Sequence, residues 1–352
     1  MSDAMTLFSQ ALEQLRLAAV NVPGLTELAQ FPFLFRPLVM VVLLGVVAGV
    51  IGVIVNLRSA EFSAEAMVHA VFPGIVAGAV YWGIDAIIPA ASVVAVAAAL
   101  VLTIVSHRSR RGEASEAGTA AVLTSFFSIG LILSLAKGDM SGQLEALMFG
   151  RLLEVTDARL AQALIVCAVA LLLIAATWKE QVAYAFDRTG ARASGLRILA
   201  LDLVLNTAIA AAVVSASTAV GILLVIGYLV IPGATARVLA SRVRAMVVVA
   251  IAVGVGGGYL GMLLMVLPET LDKPISPQAT VALVMTGILL LAVGVSTARE
   301  RLDRIRHRDH SAQPVTVAAA STMAGAEATA DRAGGAEGSA SGVTPVAERS
   351  RV

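Results

Sequence analysis

Charge is what this sequence has least of. Only 14% of its 352 residues are Asp, Glu, Lys or Arg, against about 25% in an ordinary soluble domain. Acidic and basic side chains balance to a net +1, which removes the basic surface a nucleic-acid-binding protein needs. A lone cysteine, Cys167, excludes an intrachain disulfide framework and any multi-thiolate metal cage. There are four histidines, His69, His107, His307 and His310. No G-x-x-x-x-G-K-[ST] occurs, so the chain carries no phosphate loop of its own. H-E-x-x-H and G-x-S-x-G, two common hydrolase signatures, are also missing.

Apolar residues fill the space that charge leaves. They make up 58% of the chain, and the mean hydropathy is +0.89. A soluble core cannot hide that much apolar surface, so lipid must cover much of it. A soluble enzyme and a disordered scaffold are therefore ruled out. An apolar helix needs about 20 residues to cross hydrocarbon. Nine windows qualify, at 37–57, 65–84, 86–106, 118–136, 160–177, 198–217, 219–236, 245–267 and 279–298. They are too rich in Gly and Ala, and too regular, for the weak alternation of a β-barrel. The chain reads as an all-α polytopic membrane protein with about nine spans (eight to ten).

Four regions follow. Residues 1–36 form an amphipathic segment with Glu13, Arg16 and Glu27; it reads as an interfacial helix or a partly ordered extension, not a signal peptide. Residues 37–298 form the transmembrane domain. Residues 299–310 continue the last span as a charged cytoplasmic stub. Residues 311–352 are Ala, Gly, Ser, Thr and Glu with few large apolar residues, the composition of a disordered tail.

Arg and Lys favour the cytoplasmic side of a membrane. After odd-numbered spans come Arg58; then Arg108, Arg110 and Arg111; then Lys179, Arg188, Arg192 and Arg197; then Arg237, Arg242 and Arg244; and finally five Arg from Arg299 to Arg308. The opposite side has fewer: Arg16, Arg36, Lys137, Arg151, Arg159 and Lys273. This alternation predicts the N-terminus outside and the C-terminus inside.

Two Pro-Gly pairs interrupt the spans, Pro73-Gly74 and Pro232-Gly233, with similar flanks. Proline removes a helix hydrogen bond, and in lipid the freed groups need a neighbouring helix or a wet cavity. The two spans lie five apart and so run in opposite directions. That pattern fits an inverted repeat with broken helices lining a pathway; two ordinary kinks are the alternative. Ionisable groups inside spans are functional candidates. Glu65 and His69 are four residues apart, hence on one helix face. They suit Zn²⁺ or Mn²⁺ if other helices add ligands; otherwise they are an interfacial Glu and a backbone-bonded His. Asp202 is a second pathway candidate, or a bonded carboxylate near a helix start. The stretch Ala185 to Leu196 suits a short helix resting in a partner's groove, or a solvated connector.

Several stretches together resemble a known family, the membrane permease subunit of zinc/manganese ABC importers (the ABC-3 family). Residues 65–74, Glu-Ala-Met-Val-His-Ala-Val-Phe-Pro-Gly, are similar to its D-a-l-S-H-a-v-l-P-G. Residues 147–153, Leu-Met-Phe-Gly-Arg-Leu-Leu, resemble Y-L-F-G-N-I-L, with Arg151 where the family has Asn. Phe186-Asp187 through Gly195-Leu196 resembles F-D-x-E-x-A-x-x-x-G-L, with Asp187, Ala191 and Gly195 in register and Thr189 where Glu is common. Val220 through Arg237 resembles V-G-x-L-L-v-x-a-L-L-i-I-P-A-A-t-A.

The resemblance covers about 33–298. It implies a vitamin-B12-importer-like (type II ABC importer) fold, and a homodimer with its pathway at the subunit interface. It implies two cytoplasmic ATPase subunits and an extracytoplasmic metal-binding protein as partners, in the plasma (inner) membrane. The permease itself would be no enzyme and hold no permanent cofactor. The family's D-x-x-x-H pair maps onto Glu65 and His69, with Glu for Asp and Val68 for Ser. The loop bearing Asp187, Ala191 and Gly195 would couple to the ATPase. The expected function is ATP-driven import of Zn²⁺ or Mn²⁺. A stand-alone proton-coupled secondary transporter of a metal or small cation is the alternative.

Overall fold

Hydrocarbon offers no partner to a backbone amide, so a spanning segment must satisfy its own. The chain does this with helices alone among the described residues. A computed structural model describes residues 2–108, 112–136, 150–266 and 276–311. The expected tail, apart from Ser311, lies outside the described residues, as do Leu147, Met148, Phe149, Arg110, Arg111, Lys137 and Lys273. The helices are α1 (Ser2–Val20), α2 (Thr26–Ala29), α3 (Pro32–Leu57), α4 (Glu61–Ala70), α5 (Phe72–Ala77), α6 (Ile87–Arg108), α7 (Gly112–Leu135), α8 (Asp157–Ala176), α9 (Trp178–Phe186), α10 (Arg188–Ala193), α11 (Ile198–Val220), α12 (Ile222–Leu239), α13 (Val243–Val266) and α14 (Pro277–Ser311). A π turn over Gly78–Trp82 extends α5. The chain divides into two units, Met1–Ser296 and Thr297–Val352; in the second, 297–311 are described and helical.

Among the described residues, eight helical segments are long and apolar enough to cross a membrane. The expected span at 219–236 corresponds to α12, whose apolar stretch Leu224–Leu239 is shorter. Gly221, at φ +81°, makes the tight break between α11 and α12. The first span begins before residue 37. Pro32 sits in the first turn of α3, where a missing N–H costs nothing, and Pro37 is carried inside the helix.

Lipid tails are as apolar as leucine, so helices here associate by close packing. α3 is the hub, packed against α13, α12, α8 and α11. A Cβ on Gly45 would lie 2.6 Å from the Gly254 carbonyl carbon, and one on Gly254 would lie 2.6 Å from the Gly45 oxygen. A Cβ on Gly49 would lie 2.7 Å from Ile251 N. The fully buried Tyr228 hydroxyl sits 3.0 Å from the Val41 carbonyl oxygen and 3.2 Å from that of Gly254, tying α12 to α3 and α13. Away from this centre the exposed faces are apolar, as at Val93, Ile165, Leu172 and Leu283, which suits contact with lipid or another membrane chain.

Gly45→Ala is expected to destabilise the fold by about 1–3 kcal/mol through backbone overpacking. Gly256→Ala, facing open space on the neighbouring α13, should leave the unfolding midpoint unchanged or slightly higher. Thermal unfolding of the two variants in detergent checks the contrast.

Candidate functional site

Glu65 and His69 lie one turn apart on α4. Glu65 is exposed and His69 half-buried. The His69 ring stands edge-on to Phe127 of α7, with centroids 5.3 Å apart and planes at 84°. Phe127 in turn stacks on Phe72 at 5.1 Å. His69 Nδ1 is buried and has no hydrogen-bond partner among the described residues. That is an imidazole nitrogen removed from water with nothing yet to bind. Among the described residues no three His, Cys, Asp or Glu side chains gather closely enough to hold a metal ion. The pair therefore offers two candidate ligands and no cage among the described residues.

α4 stops at Ala70 directly beyond His69, and α5 restarts with Pro73 in its first turn. Pro73 has no N–H to give the His69 carbonyl. Gly74 lets this break pack on α6: a Cβ there would lie 2.8 Å from Ala91 Cα. The other Pro-Gly pair behaves differently. α12 runs unbroken through Pro232. Asn56 Nδ2 donates to the Val230 carbonyl at 3.3 Å and to that of Gly52 at 2.9 Å, supplying the crossing with hydrogen bonds from α3. A Cβ on Gly233 would meet Asn56 Nδ2 at 2.5 Å. Both glycines are thus buried at helix crossings within the protomer, and only the first pair interrupts its helix.

Asp202 lies on the second turn of α11, ion-paired with Arg58 beyond the end of α3. Arg58 Nη1 also donates to Gln181 Oε1 at 2.6 Å, and its guanidinium sits 4.3 Å from the Tyr184 ring centroid. Gln181 Nε2 donates to the Leu201 carbonyl at 2.9 Å. Arg188 Nε donates to the Tyr184 hydroxyl at 2.7 Å. One arginine thus joins α3, α9 and α11, and Tyr184 extends the connection to α10.

α10 itself is built from its motif. Asp187 is the N-cap; its Oδ1 accepts from Thr189 N at 3.0 Å and Gly190 N at 2.8 Å. Ala191 is buried in a small apolar cluster with Tyr184, Ile198 and Leu201. Gly195 takes φ +79°; its N–H donates to the Arg192 carbonyl and the Leu196 N–H to that of Ala191, the Schellman closure. Asp187, Ala191 and Gly195 are thus each fixed by a local requirement of this one turn.

At the opposite end of α3, Arg36 pairs with Asp157 at the start of α8, at 2.5 Å and 3.2 Å, and Ser9 of α1 donates to the same carboxylate at 2.9 Å. The amphipathic N-terminal helix is therefore held to the bundle. The sequence places Arg58 only within the cytoplasmic arginine bias and gives no sign of Gln181 or Tyr184. One signal was available: Arg58 is the first charge after an uncharged run of apolar residues. Its partners, 123 and 144 positions away, were not readable from spacing.

The chain matches the ABC 3 transport family over residues 30–296. It is 34% identical over 239 residues to the manganese transport system membrane protein MntC of Listeria monocytogenes, covering 68% of this chain and 83% of that protein. It is 31% identical over 232 residues to the chelated iron transport system membrane protein YfeC of Yersinia pestis, covering 65% and 77%. Among solved structures it resembles PsaBC from Streptococcus pneumoniae, in complex with Fab, with TM-score 0.65 and 25% identity over 76% of this chain and 94% of that one. The fold is shared with an inward-facing metal-chelate type ABC transporter, with TM-score 0.58 and 10% identity over 83% and 98%.

Arg58→Ala should cost about 3 kcal/mol, because it strands Asp202 and Gln181 in a mostly buried setting. Arg36→Ala, whose pair is more exposed, should cost within about 1 kcal/mol. Unfolding midpoints of the purified variants measure the difference.

Proposed function

The chain belongs to the ABC 3 transport family of multi-pass plasma-membrane permeases for metal import, and on that premise we propose that it forms the pathway of an ATP-driven importer of a divalent first-row metal ion, with manganese the foremost substrate. The observation that carries this reading is the Glu65–His69 pair, with its buried, unpartnered imidazole nitrogen beside the α4–α5 break. Two ligands per protomer hold an ion weakly, as transit requires. A second copy of the chain, bringing its own pair, and water would complete the coordination. Carboxylate with imidazole accepts Mn²⁺, Fe²⁺ and Zn²⁺ alike. Manganese leads because relatives named for manganese transport are among the most similar, and iron follows from YfeC. Asp202 acts in this reading as the anchor of Arg58 at one end of the pathway.

ATP hydrolysis belongs to separate cytoplasmic subunits, and metal arrives from an extracytoplasmic binding protein. The α10 turn, capped by Asp187 and closed by Gly195, is the surface on which the ATPase pushes; Tyr184 and Arg58 carry that push to α3 and α11. This requires the Arg58 end of the bundle to face the cytoplasm, in agreement with the arginine bias of the sequence. Glu65 and His69 then lie about 6 and 12 Å along α4 from that end, in the cytoplasmic half of the membrane. The break at Pro73-Gly74 borders the same route, and Pro232-Gly233 sets the α3–α12 crossing beside it. Residues before α3 lie at the outer interface, 32–298 form the permease, and 299–310 and 311–352 are its cytoplasmic stub and tail.

Uptake of Mn²⁺, Fe²⁺, Zn²⁺ and Cu²⁺ into proteoliposomes holding the permease, with and without its ATPase, tests the proposal. ATP-dependent Mn²⁺ accumulation is expected, and Glu65→Gln or His69→Ala should lower it at least about tenfold, since even outer-shell partners of metal ligands are worth that much. Uptake that ignores the ATPase and follows a proton gradient would instead make the chain a secondary transporter. Asp187→Ala should leave metal binding intact and reduce the metal transported per ATP hydrolysed.

A further inference from the structure

A cleft of about 1040 Å³ opens at the Arg58 end of the bundle. Its walls come from Arg58 and the start of α4, the last turn of α6, the α7 residues Glu116 and Thr119, α10, and the stretch from Arg197 into α11. Four arginines line it, Arg58, Arg188, Arg192 and Arg197, against two carboxylates, Glu116 and Asp202. Asp202 is already taken by Arg58. Among the described residues no carboxylate pairs with Arg188, Arg192 or Arg197. The lining is therefore cationic beyond what it neutralises.

The cleft also has a built interior. Thr119 and Asn206 are 2% and 7% exposed, and the Arg58 side chain 8%. Asn206 Nδ2 is held by donation to Thr103 Oγ1 at 2.9 Å, and Arg58 is fixed by Asp202, Gln181 and Tyr184. A fixed guanidinium at the back, hydroxyl groups from Ser59, Ser63 and Ser106 along the walls, and exposed arginines at the rim form a complete set of donors. Concave, low-dielectric walls concentrate the field of such charges. A transiting metal cation would be repelled here. Guanidinium forks match phosphate oxygens in pairs, and basic pockets at the ends of membrane helices take phosphate head groups.

We propose that this cleft is a binding site for a phosphate-bearing anion, gripped by Arg192 and Arg197 at the rim and backed by Arg58. The same chemistry is offered by an anionic phospholipid head group and by a soluble phosphate compound. The site is independent of the metal that the permease carries.

Native mass spectrometry of the purified full chain tests it, with phosphatidylglycerol, phosphatidylcholine of the same acyl chains, and inorganic pyrophosphate as separate probes. The variants are Arg192→Gln/Arg197→Gln, at the rim, and Arg242→Gln/Arg244→Gln, an equal loss of exposed charge outside the cleft. Phosphatidylglycerol retained over phosphatidylcholine, about thirtyfold more weakly in the rim variant and unchanged in the other, is expected for a head group, the loss that two surface arginines carry. Pyrophosphate binding with that same dependence on the rim arginines identifies a soluble ligand. Equal binding of every anion by wild type and rim variant, or equal losses in both variants, overturns the proposal.

Discussion

Backbone contact between α3 and its neighbours α12 and α13 is the constraint from which the rest of the molecule is hung. Helices in lipid gain little by burying apolar side chains against one another, so the gain must come from approach close enough for backbones to touch. Gly45 against Gly254 and Gly52 against Gly233 provide that approach, and the Tyr228 hydroxyl fastens it with carbonyl contacts from two helices. Once α3 is held there, its two ends are placed. Arg36 meets Asp157 at one end, and Arg58 meets Asp202 at the other.

The polar groups in the bundle divide by how completely they are satisfied. Asn56, Gln181, Asn206 and Tyr228 are bonded and act as structural fasteners. His69 Nδ1 is different: buried, it bonds to nothing among the described residues, as is also true of Arg159 Nε, Gln162 Oε1 and Glu180 Oε2. Such a group costs free energy in the resting protein, and a site that must accept and release a cation is a place where that cost has a use. The arginine-lined cleft has the opposite character, with donors in excess. The two proposed sites thus have opposite charge preference and lie near one another along α4.

Much of the fold was legible in the sequence because hydropathy is a long-range, averaged signal. Eight of the nine expected windows correspond to helical segments fit to span a membrane, and the ninth is a shorter apolar helix. The Asp187–Leu196 motif was legible because its requirements are local: a cap, a small buried residue and a left-handed closure. What escaped depended on contacts distant in sequence. Pro73 and Pro232 look alike in their flanks, yet one sits in the first turn of a new helix and the other is carried inside an unbroken one, a difference the flanks do not show. Asp202 is legible as a pathway candidate or a bonded carboxylate near a helix start, but its partner is not, because that arginine lies 144 residues earlier.

The glycine crossing on α3 makes that helix a lever with a fulcrum off its midpoint. Gly49 lies about 13 Å from Arg58 and about 20 Å from Arg36 along the axis. Tilting a stiff rod about that point moves its ends in opposite senses and in a ratio near 1.5. Were Arg58 displaced, a rigid tilt about that point would appear at Arg36 reversed and enlarged.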